Sequence, residues 1–360
     1  MSKTKKKNFL YIDLSKPMTY GEQFKLMFII MFISCFLFTL VYLFTLVGGR
    51  SKADTPSSAE VSHTEMSSAV SHDEGQPSAV VSEVSTANET DKGFFDDIET
   101  LYLEHDEVYK GDLILVNKNY KCPSDGENAV SLMELKSGSY VVTDYSVSLN
   151  KDIVNYLNRM LDDFEERYGE NDVMVACGYR SYANQEEIFN NEVEDVGVEE
   201  AEKWVARPGY SEHQTGLVID FTLNNDVEQG SIKYDGTGIY EWINTNSYKY
   251  GFILRYLLGK EEITGYSHEP WHFRYVGLPA AVYITKNEIT LEEYIDIVRT
   301  HDINDPLLID GGGENKWYVY YVPANEDSET EVTVPKNVNY RISGDNVKGF
   351  IITADVDIKG

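Results

Sequence analysis

The sequence predicts an α+β chain with an N-terminal transmembrane helix and a small all-β appendage at its C-terminus. Three observations carry that expectation. One early apolar run is free of charge over the length of a membrane. The middle of the chain mixes helix-period segments with short strand-like ones, and the last segment carries strand signals only.

The 360 residues are too many for one ordinary domain. Sixty acids face 31 bases, giving a formal net charge of -29. Phosphate recognition needs a basic surface, so no nucleic-acid partner is expected. A hydrophobic content of 42% is enough for a packed core and excludes a wholly disordered chain. The charge is unevenly spread. Residues 1–50 carry seven bases against Asp13 and Glu22, whereas residues 95–360 hold nearly all the negative excess.

Residues 26–47 (LMFIIMFISCFLFTLVYLFTLV) run for 22 positions without a charge. At 1.5 Å per residue they reach about 33 Å, enough to cross a hydrocarbon core of roughly 30 Å. A buried helix would show a polar stripe, and a signal peptide would have a shorter core and a small-residue cleavage site. Neither pattern is present, so an uncleaved transmembrane helix is expected. The lysines before it place residues 1–25 in the cytoplasm as a basic head and the body outside the cell. Arg50 and Lys52 pull weakly against that orientation. Residues 48–93 are rich in Ser, Glu, Thr and Val, lack aromatics and periodicity, and read as a disordered tether. His63 and His72 fall there, where nothing would fix a metal's geometry.

The globular region spans residues 94–304. Residues 112–117 (DLILVN) read as a short strand. Residues 149–167 place Ile153, Leu157, Met160 or Leu161, and Phe164 at helical spacing. Residues 172–179 (DVMVACGY) read as a buried strand. Residues 185–205 read as an acidic helix with Ile188, Phe189, Val193 and Val196 on one side. Strands are expected at 215–223 and 271–276, and a closing helix at 291–299. From residue 305 the character changes. DGGG at 310–313 reads as a linker or turn, and 317–322, 331–334 and 349–353 as strands, so 305–360 forms the small β-rich appendage. The three cysteines are Cys35 in the apolar run, Cys122 and Cys177. That excludes a disulfide scaffold and a cysteine-ligated zinc site, and Cys177 reads as a small buried strand residue.

Two segments carry chemistry. In the first, Ser211-Glu212-His213-Gln-Thr-Gly216-Leu-Val-Ile-Asp220, strand alternation sets Asp220 on one face and Leu217, Ile219 and Phe221 on the other. His213 precedes the strand on a loop that can fold back over it. In the second, Glu269-Pro-Trp-His272-Phe-Arg274-Tyr, the aromatics alternate with His272 and Arg274. Two imidazoles and a carboxylate make a three-ligand set for Zn2+ with a fourth position left for water, and Glu269 is a base outside that set. Each piece alone also fits a plainer role: a His-x6-Asp pair on the surface, a Trp-His pair in the core.

Taken together, Ser-x-His-x-x-Gly-x-x-x-Asp at 211–220 and Glu-Pro-Trp-His at 269–272 resemble the signature of the VanY-type D-alanyl-D-alanine carboxypeptidases, a family of zinc peptidases. The resemblance extends through LILVN at 113–117, GYRSYANQ at 178–185, ARPG at 206–209, YGFILRY at 250–256 and residues 264–277, covering about 110–300. It implies a compact antiparallel-sheet zinc peptidase domain flanked by helices. It implies zinc ligation by His213, Asp220 and His272, with Glu269 as the catalytic base. Arg180, Gln185 and Ser211 match positions that meet substrate, with Arg180 clamping a terminal carboxylate or steadying an oxyanion. The implied substrate is a peptidoglycan stem peptide ending in D-Ala. Val218 and His268 depart from the family's usual Ala and aromatic residue. His268 reads as a pocket wall or a solvated loop residue, and Tyr182, Tyr266 and Trp271 as candidate pocket walls.

Overall fold

The computed structural model describes residues 94, 95, 97–225 and 230–356. The expected head, transmembrane helix and tether lie outside the described residues, and no described helix is long and apolar enough to cross a membrane.

The strands in chain order are β1 (Ile98–Leu103), β2 (Ala129–Ser131), β3 (Val141–Val142), β4 (Ser148–Asn150), β5 (Val173–Cys177), β6 (Val218–Asn225), β7 (Gly230–Lys233), β8 (Phe252–Leu254) and β9 (His272–Tyr275). They are followed by β10 (Leu307–Gly312), β11 (Asn315–Pro323), β12 (Thr330–Pro335), β13 (Tyr340–Gly344) and β14 (Gly349–Asp355). The central sheet has the order β3-β5-β6-β9-β8, with β7 added on β6. It is antiparallel except at its edge, where β3 runs parallel to β5.

One face of this sheet is covered by α1 (Lys151–Tyr168). Asn150 caps its start by accepting from Asp152 N, and Gly169 ends it at φ 71°. Ile153, Val154, Leu157, Met160, Leu161 and Phe164 recur at helical spacing and are all buried. They pack with Phe221 and Phe273 from the sheet and with Tyr234 just after β7. Each such side chain stabilises the fold by roughly 1.5–3 kcal/mol through burial.

A second core joins α2 (Leu278–Asn287) and α3 (Leu291–Val298) to Ile309, Trp317, Val319, Tyr321 and Ile351 of the C-terminal sheet, whose order is β10-β11-β14-β13. The capping box of Thr290 and Glu293 starts α3. The C-terminal strands are therefore packed on the helices of the central region. They also take in the start of the globular chain, because β1 pairs with β12 along its whole length.

Two local expectations are corrected. Residues 112–117, buried from Leu113 on, form no strand, since no strand runs beside them. Their backbone is taken up by side chains and a loop instead: Arg274 donates to the Asp112 and Ile114 carbonyls, and Leu113 N donates to Ser343 Oγ. The helix expected at 185–205 is Tyr182–Val196, ended by Gly197 at φ 86°, with a short turn of helix, Val198–Ala201, beyond it. Its apolar side finds no second layer, so Ile188 and Val196 stay exposed. The glycine-rich 310–313 segment, read as a linker or turn, is a turn: it ends β10 and leads into β11.

Candidate active site

Cross-strand register builds the site. Cys177 on β5, Asp220 on β6 and His272 on β9 lie opposite one another in consecutive ladders, forming one row on the sheet face away from α1. His213 reaches that row from a short 3-10 turn, Glu212–Thr215. Ser211 caps the turn by accepting from His213 N, and Gly216 ends it at φ 72°, a conformation that favours glycine. A Cβ on Gly216 would also lie 3.1 Å from Asn150 N.

The His213 ring is held at both ends. Its Nδ1 lies 2.6 Å from the Gly178 carbonyl, and Nε2 lies 3.2 Å from Asp220 Oδ2. Gly178 sits where a Cβ would strike the Ser148 carbonyl, so the chain there passes too closely for any side chain. His272 turns Nδ1 toward Asp220 Oδ1 at 3.0 Å and toward Glu269 Oε2 at 3.5 Å. The two imidazoles are nearly perpendicular, with centroids 5.2 Å apart. The expected ligands His213, Asp220 and His272 thus converge, with the expected base Glu269 beside them.

These groups fit a cation. His213, His272 and Glu269 are buried, the Asp220 side chain is 19% exposed, and its buried Oδ1 has no hydrogen-bond partner despite its short approach to His272. Two imidazoles on the two oxygens of one carboxylate, with one of those oxygens unsatisfied, are a suitable donor set for Zn2+. Among the described residues, the three possible ligands whose atoms all lie within 4.8 Å of one another are Cys177, His213 and Asp220. The thiol lies 3.6 Å from His213 Nδ1, the ring atom already directed at Gly178. His213 therefore turns its other nitrogen, Nε2, to the Asp220 side, away from the thiol.

Charge shapes the row. Burial lowers the proton affinity of His213, but the adjacent Asp220 charge outweighs it and holds the ring protonated, pushed up to about 10. Burial alone would raise Asp220; the His213 charge instead holds it far below the usual carboxylate range. For Glu269 burial dominates and pushes the carboxyl up to about 7, against the pull of His272.

Arg180 follows β5 and crosses the site. It donates from NH1 to Gln185 Oε1 at 2.9 Å and from NH2 to Cys177 Sγ at 3.2 Å, and NH2 is 4.0 Å from Asp220 Oδ2. Gln185, read as a substrate contact, is buried with both amide ends engaged, the second donating to the Ala206 carbonyl at 2.7 Å. It stands behind Arg180. Ser211 lines the cleft while capping the His213 turn.

The cleft has a volume of about 200 Å3, and Tyr256, Tyr266, Trp204 and Trp271 form part of its wall. Tyr182 is exposed outside it. His268 binds the Tyr256 carbonyl through Nδ1 at 2.8 Å and does not join the ligand cluster. The Tyr256 ring packs against His272 at 4.8 Å between centroids, tilted by 43°. Sequence reasoning missed Tyr256, and it missed the thiol of Cys177 and the carboxylate of Glu212. Alternation along one strand says nothing about the neighbour on the next, and that neighbour supplied the thiol.

The family model described as VanY, D-alanyl-D-alanine carboxypeptidase, matches residues 146–278, the stretch holding every residue of this cluster. A D-alanyl-D-alanine carboxypeptidase of Enterococcus faecium is 32% identical over 70% of this chain and 77% of its own. The bifunctional D-Ala-D-Ala dipeptidase and D-Ala-D-Ala carboxypeptidase VanXYC of Enterococcus gallinarum is 34% identical over 51% of this chain and 93% of its own. The crystal structure of the vancomycin resistance D,D-dipeptidase VanXYg, in complex with a D-Ala-D-Ala phosphinate analog, superposes with a TM-score of 0.64 at 35% identity, covering 72% of this chain and 99% of that one. Similarity of that extent, in sequence and in fold, makes the chain a member of the VanY-type D-alanyl-D-alanine carboxypeptidase family.

Proposed function

We propose that this chain is a zinc-dependent D,D-carboxypeptidase that removes the C-terminal D-Ala from peptidoglycan stem peptides, anchored in the cell membrane by residues 26–47 with its catalytic region outside. The observation that carries the reading is that His213 and His272 each turn a ring nitrogen onto an oxygen of Asp220, at 3.2 and 3.0 Å, with Glu269 Oε2 3.5 Å from His272 Nδ1. His213, Asp220 and His272 would hold Zn2+, which supplies Lewis acidity to a scissile carbonyl and makes water acidic near neutral pH.

The chain's own groups do the rest. Glu269 accepts the proton of the attacking water and returns it to the leaving amine. Burial poises it for both tasks, because a carboxyl near 7 gives up a proton about as readily as it takes one. Arg180 lies beside Asp220, so its guanidinium suits the oxyanion of the tetrahedral state better than a carboxylate farther along the peptide. Gln185 and Cys177 fix its direction. Tyr266 and Trp271 wall the cleft and limit water.

A second reading, D,D-dipeptidase, is favoured by the similarity to VanXYg over nearly its whole length. Incubation of the zinc-loaded full chain with pentapeptide and tetrapeptide stems and with free D-Ala-D-Ala, products weighed by mass spectrometry, separates the two. Loss of one alanine from the pentapeptide supports the carboxypeptidase. Cleavage confined to the free dipeptide supports the dipeptidase, and no cleavage of any of them overturns both. In the same preparation His213→Ala is expected to lower zinc content by elemental analysis; a full zinc complement in that variant removes His213 from the ligand set.

A further inference from the structure

Behind His272 lies a cluster of charges that the reaction does not use. Glu212, Arg255 and Arg274 are fully buried, and Glu292 closes the group. Arg255 Nε and Arg274 NH1 both donate to the same oxygen of Glu212, Oε1, at 3.0 and 2.8 Å. Arg255 then forks onto both oxygens of Glu292, at 2.9 and 2.6 Å. Asn117 supports Glu292, while Arg274 is locked by the Asp112 and Ile114 carbonyls. Two cations and two anions balance, and every guanidinium direction is fixed.

This arrangement leaves one atom over. Glu212 Oε2 is buried without a hydrogen-bond partner, and so is His272 Nε2. The two face each other at 3.7 Å. An orphaned buried acceptor and an orphaned ring nitrogen in that relation are one hydrogen bond short of closure, since a few tenths of an ångström bring them within bonding distance. His272 Nδ1 points the other way, to Asp220 and Glu269.

We propose that Glu212 is a positioning residue: clamped through one oxygen by Arg255 and Arg274, it uses the other to hold the proton of His272 on Nε2, so that Nδ1 is presented as a metal-binding lone pair. The proposal rests on the zinc reading above. It gives the two buried arginines a task beyond packing, because they fix the direction of the one free carboxylate oxygen. A carboxylate behind a ligating imidazole fixes the ring's tautomer and orientation and raises its basicity.

The test compares Glu212→Gln with Glu292→Gln. Each removes one charge from the same buried cluster, but only the first touches His272. Zinc affinity is measured by competition with a chelating dye, and the His272 ring by 15N–1H spectra of the zinc-loaded protein. The wild type is expected to show a downfield, slowly exchanging Nε2–H proton on His272. Glu212→Gln is expected to weaken zinc binding by about 10- to 100-fold and to shift or lose that proton. Glu292→Gln is expected to change neither, even where it lowers the melting temperature.

Equal loss of zinc affinity in both variants overturns the proposal in favour of a merely structural cluster, and so does unchanged affinity in Glu212→Gln. If Glu212→Gln does not fold, the wild-type spectrum decides alone: a fast-exchanging Nε2–H without the downfield shift sinks it. Failure of the wild type to take up zinc removes the metal reading itself and this proposal with it, an outcome distinct from zinc uptake that ignores Glu212.

Discussion

The two faces of β6 and β9 differ as much as any two regions of this molecule. One face is aromatic: Phe221 and Phe273 lie 5.2 Å apart between centroids, and Tyr234 closes against both. The other carries Asp220, His272 and Arg274. On the aromatic face the contacts are many and similar, so stability comes from area and shape. On the polar face each group has a few specific partners at set distances, and a missing partner leaves a buried polar atom out of reach of water. The sheet thus separates what holds the fold from what does the chemistry, although the two are neighbours along the strand.

Four experiments break or sharpen that contrast. Glu269→Gln on the polar face is expected to cost about 10²- to 10⁴-fold in kcat, the usual worth of a general acid–base group, with zinc content and melting temperature unchanged. Turnover near the wild-type rate in that variant would remove Glu269 as the base. On the aromatic face, Phe273→Ala is expected to cost about 3–5 kcal/mol in denaturant unfolding, because a fully buried ring leaves a cavity. If the variant keeps normal stability and loses zinc instead, the two faces are not separable.

Arg180→Lys keeps the charge but loses the planar fork that binds Gln185 and Cys177 together. A loss of about 10²- to 10³-fold in kcat, with little change in KM, is expected for a group that steadies an oxyanion. Unchanged kinetics would make Arg180 a structural ion pair with Asp220.

The smallest expected effect is one of pH. In the metal-free protein Asp220 keeps His213 protonated well above its ordinary range, up to about 10. A metal at His213 must displace that proton. Zinc affinity should therefore rise with pH between about 6 and 9, by about tenfold per unit for each proton released. The same shift gives the sign for stability. A raised histidine binds its proton more tightly when folded, so its contribution is complete below about 6.5 and fades as pH rises toward 10. Chelator competition at several pH values checks the first statement. A flat affinity profile would mean that His213 is already neutral and its link to Asp220 weak.

Much of the site was legible along the chain. His213, Asp220, Glu269 and His272 come from two short segments in which strand alternation alone separates the polar from the aromatic side chains. The helix at 149–167 was legible for the same reason, since its apolar residues recur every three or four positions and its ends carry Asn150 and Gly169. The strand expected at 112–117 was not, because an apolar run reads alike whether its backbone is satisfied by a ladder or by Arg274. Gln185 shows the same limit. Its residue type suits a substrate contact, but its neighbours Arg180 and Ala206 assign it to holding another side chain.

By itself, then, the sequence determined the polar and apolar faces, the chemistry of the donor set and the net charge of -29, because composition and short periodicity are local properties. Only the tertiary structure decided which residues stand behind the site. Glu212 meets Arg255 and Arg274 across 43 and 62 positions of chain, and Cys177 meets Asp220 through the register of two strands. Such pairings are set when β5, β6 and β9 align, and no local pattern records them, since the energy that fixes the register comes from the aromatic face on the other side of the sheet.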